Sequence, residues 1–207
     1  MSPIFDQASG DDWKQNAVAD RYHETDSKLA EGYKRAAELV VAAWPEERFD
    51  ALLPPVILLY RHAMELQLKT AIGVAERAKP YANLTSRTSD DLAKWFKNTA
   101  GHRLGVLRDE LNHSLVALGA QAMDSSVVGV IDELDQADDR GETFRYSWTL
   151  QKDPSGAWGK VQTPRPGQTS GGRVNIVEMG QALSEAVNHI GAIWSQLEAE
   201  RVDPFEQ

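Results

Sequence analysis

The segment Tyr60-Arg61-His62-Ala63-Met64-Glu65-Leu66-Gln67-Leu68-Lys69 constrains this chain most, because it sets an arginine, a histidine, a glutamate and a lysine inside a stretch otherwise apolar enough to be core. Charged side chains in such surroundings need partners or a task, since burying an unpaired charge is strongly unfavourable. Helical spacing makes the pairing specific. Arg61 and Glu65 are four apart, His62 and Glu65 three apart, and Lys69 follows Glu65 by one turn, so these groups meet along one helix edge. Two readings open from that edge. One is a satisfied network that fixes helix register; the other is a lining of cationic and acid/base groups for an anionic ligand.

The surrounding pattern is that of a helical bundle. Val18, Tyr22, Leu29, Tyr33, Ala36, Val40 and Ala43 recur at three- and four-residue spacing, which predicts a helix from about Asp11 to Trp44, ended by Pro45. A second helix begins at Pro54-Pro55 and runs to about Ala78. It is apolar around so much of its girth that it belongs at the centre. Ser89 or Asp90 caps a short helix, and Leu104, Leu107, Leu111, Leu115 and Leu118 stripe the next. Ser125 or Ser126 starts another. The last helix, about Asn175 to Arg201, keeps a heptad-like stripe from Ile176 to Leu197 that suits internal packing or a dimer seam. Between these, Thr143–Leu150 and Ala157–Gln162 flank Asp153-Pro154-Ser155-Gly156, the composition of a β-hairpin, and Pro164–Gly172 reads as loop. The expectation is one mainly α domain over residues 1–207. Its core spans about 11–138 and 175–201, with the hairpin and loop in 139–174.

Several classes of chemistry lack their signatures. The chain has no cysteine, so thiolate metal sites and a cysteine nucleophile are excluded. No phosphate-binding loop, nucleophile elbow or short-spaced histidine pair is present, so neither a metal nor a cofactor is expected. A net charge of -9 opposes non-specific wrapping of nucleic acid but leaves room for a small cationic cleft. No apolar run approaches the roughly 20 residues of a membrane span, and Met1 to Asp12 does not resemble a signal peptide; a cytoplasmic location is expected.

Three further positions draw attention. His102 follows Gly101 at a helix start, where an imidazole either caps backbone N–H groups or stays neutral as a base. Arg108 and His113 form an R-x-x-x-x-H pattern, a spacing that chance supplies about once in a chain of 13 arginines and 5 histidines. On one ideal helix they lie roughly 140° apart, so a shared site needs a second chain or a helix break. Arg145, between Phe144 and Tyr146, would point opposite to its aromatic neighbours on a strand and is suited to phosphate or carboxylate.

Taken in order, Glu65-Leu66-Gln67-Leu68-Lys69, then His102-Arg103-Leu104-Gly105-Val106-Leu107, then Phe144-Arg145-Tyr146 resemble the HEPN superfamily of small helical proteins. Ser147 stands where that family commonly carries proline, and Arg103 where an acidic residue is common. The resemblance implies a helical bundle that dimerises and an RNA-directed role of bacterial defence or toxin–antitoxin type. It implies an antitoxin or partner enzyme as a companion, and RNA or a nucleotide as ligand; the alternatives are a non-catalytic nucleotide- or nucleic-acid-binding module that works with a partner enzyme, and a structural helical adaptor. It further implies metal-independent ribonuclease chemistry in which Arg108 stabilises charge on phosphorus and His113 moves the proton. Arg61, His62, Glu65, His102 and Arg145 would then bind phosphate or support the site.

Overall fold

The helix Leu53–Ala78, called α2 below, is the axis around which the other helices gather. A computed structural model of the chain describes residues 25–138, 141, 143–145, 148–152, 158–162 and 173–200. In chain order its elements are α1 (Asp26–Glu47), α2, α3 (Ser89–Trp95), α4 (Leu104–Ala117), α5 (Ser125–Ala137), β1 (Trp148–Lys152), β2 (Trp158–Gln162) and α6 (Ile176–Ala199). The helices α1, α4 and α6 all pack on α2, and α5 bridges α4 and α6. Leu53-Pro54-Pro55 opens α2 because proline at the first positions forfeits only N–H groups that would lack a helical partner. From there Val56, Tyr60, Ala63, Met64, Leu68, Ala71, Ile72 and Ala75 are buried, which gives the central helix the wide apolar girth expected of it.

The neighbours meet α2 with the stripes their sequences carry. Leu104, Leu107, Leu111 and Leu115 of α4 are buried, as are Ile176, Leu183, Val187, Ile190 and Leu197 of α6. The α6 stripe is therefore used inside the fold. Polar stitches set the register of that packing: Trp194 Nε1 donates to Gln67 Oε1 at 2.8 Å, and Ser184 Oγ donates to Glu38 at 2.7 Å.

Several boundaries differ from the expected ones for local reasons. Pro45 does not end α1. The proline lies in the last turn, the helix continues to Glu47, and Arg48 in the left-handed region closes it by donating its N–H to the Trp44 carbonyl. The part of the expected first helix before residue 25 lies outside the described residues. Thr88, not Ser89 or Asp90, caps α3, its hydroxyl accepting from the Asp91 N–H. Asp124 caps α5 and Asn175 caps α6 in the same way. Between α3 and α4 the chain makes a wide π turn over Phe96–Ala100, then reverses at Gly101 with φ of 58°. Thr143–Arg145 is turn, not strand. The strands β1 and β2 pair antiparallel, Trp148 opposite Gln162 and Lys152 opposite Trp158. Residues 153–157, where the tight hairpin turn was expected, lie outside the described residues, as does the loop expected at 164–172.

Candidate functional site

Where α2, α4 and the end of α5 meet, the polar edge of α2 becomes a buried cluster centred on Arg61 and Glu65. Glu65 is 2 % exposed. Its carboxylate accepts from Lys69 Nζ at 2.6 Å and contacts His102 Nδ1 at 2.9 Å, with Arg61 Nη1 3.6 Å away. The i to i+4 spacing brings Lys69 and Arg61 to Glu65 from either side along the helix. The wide π turn and the Gly101 reversal deliver His102 to it from 37 residues away.

Arg61 is fully buried and acts as a clamp. Its Nη2 donates to the carbonyl of His102 at 2.6 Å and to that of Asp138 at 2.9 Å, and its Nε stands 3.2 Å from Asp138 Oδ2. One guanidinium thus ties the start of α4 and the end of α5 to the central helix. Asp138 Oδ1 in turn accepts from the Thr143 N–H, which carries the clamp into the turn that bears Arg145. Gly141 completes the enclosure. At φ of 74° it occupies the left-handed region, and a Cβ there would sit 2.9 Å from Arg61 Nη1, so the chain passes close only because no side chain intervenes.

Electrostatics divides the cluster into an inner and an outer layer. Burial works to raise the Glu65 carboxyl, but Lys69 and then His102 outweigh it and hold it below the ordinary carboxylate range. Burial pushes the Arg61 guanidinium down, opposed by Asp138, Glu65 and Asp135. These inner charges are paired with one another as ions, although Arg61 Nε is buried without a hydrogen bond. The outer layer is different: the His102 side chain is 54 % exposed although its Nδ1 is held by a buried carboxylate. When Nδ1–H donates to Glu65, the other ring nitrogen presents a lone pair away from it. Lys69 is largely covered with its ammonium on the same carboxylate oxygen, and Arg145 is exposed nearby, close enough to act on both Arg61 and His62.

The remaining expected residues fall as follows. His102 does not cap α4: Arg103 takes the N-cap position without a side-chain bond, and the imidazole is drawn to Glu65 instead. His62 does not bond Glu65. It lies edge-on to the Tyr33 ring with centroids 4.4 Å apart, and its Nδ1 is buried without a hydrogen bond. Burial is the main force that lowers the His62 imidazole; Glu65 opposes it, and Arg145, Lys69 and His102 reinforce it. Phe144 is buried and Arg145 exposed, the alternation expected, although in a turn. Arg108 and His113 are not brought together. The Arg108 guanidinium pairs with Asp132 of α5 and with Asp109, whereas His113 is exposed, and no hydrogen bond or ion pair joins the two among the described residues. The reason is the regular helix between them, which keeps positions five apart on different faces. Sequence reasoning passed over Asp138. Its only signal was an acidic residue at the point where the helical pattern stops.

Among the described residues no group of three or more histidine and carboxylate side chains is placed to hold a metal ion, and no helix is long and apolar enough to cross a membrane. No family model, curated protein or solved structure matches this chain.

Proposed function

We propose that this chain is an RNA-directed protein of the HEPN type, a metal-independent endoribonuclease of bacterial defence or toxin–antitoxin character, with His102 as its acid/base group. The observation that carries the reading is the pairing of a solvent-facing imidazole with the buried Glu65 carboxylate. Such a pairing fixes the tautomer and orientation a general base needs. In the reaction, the 2′-hydroxyl of RNA gives its proton to His102, and its oxygen bonds to the adjacent phosphorus. The bond to the 5′-oxygen then breaks and that oxygen takes up a proton. The products are a 2′,3′-cyclic phosphate and a 5′-hydroxyl end. Lys69 and Arg145 supply positive charge where the phosphorane gains negative charge. Arg108, engaged by two carboxylates, and His113, on another face, have no step in this scheme.

The test is incubation of the full chain with RNA in EDTA. His102→Gln, which retains a side-chain donor for Glu65, is expected to lose cleavage by about 10²-fold or more. Arg108→Ala and His113→Ala are expected to retain it. Loss in those two variants with retention in His102→Gln returns the chemistry to α4. Binding of RNA without cleavage, weakened in Arg145→Ala, makes the chain a binding module for a partner enzyme. The homodimer that the resemblance implies is read by sedimentation equilibrium on the same preparation.

A further inference from the structure

The turn after α5 presses on the residue that holds His102. Arg61 Nη2 bonds two backbones that no single element carries: the His102 carbonyl, just before α4, at 2.6 Å, and the Asp138 carbonyl, at the end of α5, at 2.9 Å. His102 is therefore attached to α2 at two points one helical turn apart. Arg61 holds its carbonyl, and Glu65 holds its Nδ1 at 2.9 Å. Two attachments fix where the ring sits, whereas Nδ1 alone leaves a half-exposed ring free to pivot about one bond.

The guanidinium is seated in turn by a backbone. The Gly141 N–H donates to the Asp138 carbonyl at 3.3 Å and the Thr143 N–H to Asp138 Oδ1 at 2.9 Å, which folds this stretch back over Arg61, and Phe144 is buried. Gly141, with φ of 74°, comes so close that a Cβ would stand 2.9 Å from Nη1, 3.3 Å from Cζ and 3.5 Å from Nη2. The guanidinium is planar and rigid, so a push on Nη1 also moves Nη2, the atom that holds the His102 carbonyl. Any side chain at position 141 therefore acts on Arg61.

We infer that Gly141 is a positioning residue for His102: it sets the Arg61 guanidinium, and Arg61 sets the imidazole on Glu65 through the His102 carbonyl. Neither Gly141 nor Arg61 touches a reacting atom in the proposed scheme. The value of the arrangement to cleavage rests on His102 being the acid/base group, but the coupling of position 141 to the ring does not. It has one consequence for the site. Thr143 and Arg145 follow Gly141 closely, so the stretch that presents the Arg145 cation is also the one that seats the imidazole. His102 and Arg145, distant in sequence, are thus assembled together.

The test is nitrogen NMR of the histidine rings in the full chain, in mildly alkaline buffer where imidazoles are neutral. His102 is assigned by the signals missing from His102→Gln. The parent is expected to show one His102 tautomer, with the proton on Nδ1. Gly141→Ala and Arg61→Lys, the second because an ammonium cannot fork across two carbonyls, are each expected to mix in the Nε2–H tautomer, with melting curves showing both folded. Their kcat on RNA is expected to fall about tenfold or more. Glu76→Gln is the control for lost stability alone. Glu76 lies on the same face of α2, eleven residues past Glu65, beside a cleft lined by Gly73, and its described partners are Lys79 and Arg87. It should keep the single tautomer. Three results overturn the inference: a parent already mixed, a folded Gly141→Ala that keeps one tautomer, or mixing to the same extent in Glu76→Gln. Should Gly141→Ala not fold, Gly141→Asn, which tolerates the left-handed backbone, decides in its place. A parent that cuts no RNA removes the His102 chemistry and leaves this readout intact.

Discussion

Glu65 and Glu76 are two versions of one device on the same face of α2. Each is a buried carboxylate that holds a nearby lysine, Lys69 within α2 and Lys79 just past its end, and a further side chain from a later segment. They differ in what the later segment brings. Glu76 receives Arg87, a permanent cation that also offers its backbone N–H, and the result is a staple that pins the connection between α2 and α3. Glu65 receives His102, a half-exposed imidazole whose Nδ1 it holds at 2.9 Å, and the result is a ring fixed on one side and open to solvent on the other. The Glu65 side also contains Arg61, a buried ion-paired clamp with no counterpart at Glu76, so the two regions differ in cost of disruption as well.

The largest effect that would break this comparison is at the clamp. Arg61→Ala leaves Glu65 and Asp138 buried with a missing counter-charge, and it should lower stability by about 3–5 kcal/mol in urea unfolding. Glu76→Gln should cost less, about 1.5–3 kcal/mol by the same measurement, because Arg87 lies nearer solvent and keeps Glu110. Equal costs would mean that the clamp adds nothing. Protonation sharpens the contrast further. Glu65 is held below its ordinary value of 4.5 and His62 below 6.5. Both therefore stabilise the fold above those ordinary values and lose the contribution as pH falls through their lowered folded values. Acid titration should accordingly melt contacts around Arg61 first, observable as loss of protection of the α4 N-terminal amides in hydrogen exchange. At the other end, burial and then Glu38 push the Tyr60 hydroxyl up to about 12. Its contribution is complete below 10.0 and fades as pH rises through about 12, so alkali should loosen the α1–α2 contact instead. The smallest expected change is in His102→Gln, within about 1 kcal/mol of the parent in urea unfolding, since the half-exposed ring adds little packing. A large loss there would make His102 a staple like Arg87.

Much of the framework was readable before any coordinates. The wide apolar girth of α2, its opening at the proline pair and the leucine stripe of α4 follow from the 3.6-residue repeat, which is a local property. Helix ends were less legible. Capping depends on which of two or three adjacent polar residues turns its oxygen inward, and so Thr88 took the place expected of Ser89 or Asp90. The pair Arg61 and Glu65 was visible as an i to i+4 contact, whereas the i to i+3 pair Glu76 and Lys79 was passed over, because its residues blended into an ordinary charged turn. The partners 11, 37 and 77 residues away, Arg87, His102 and Asp138, left no periodic trace.

By itself the sequence determined that this chain is mainly helical, that its second helix lies at the centre, and that ionisable groups on that helix must be satisfied, because propensity, periodicity and desolvation act over a few residues. Only the tertiary structure decided which groups satisfy them. It sent His102 to Glu65 and away from the helix end, committed Arg108 to Asp132, left His113 apart, and opened a cleft over Gly73. Those outcomes depend on where the π turn and the helix crossings carry distant side chains, and that geometry is set by the packing of whole faces, not by any short stretch of residues.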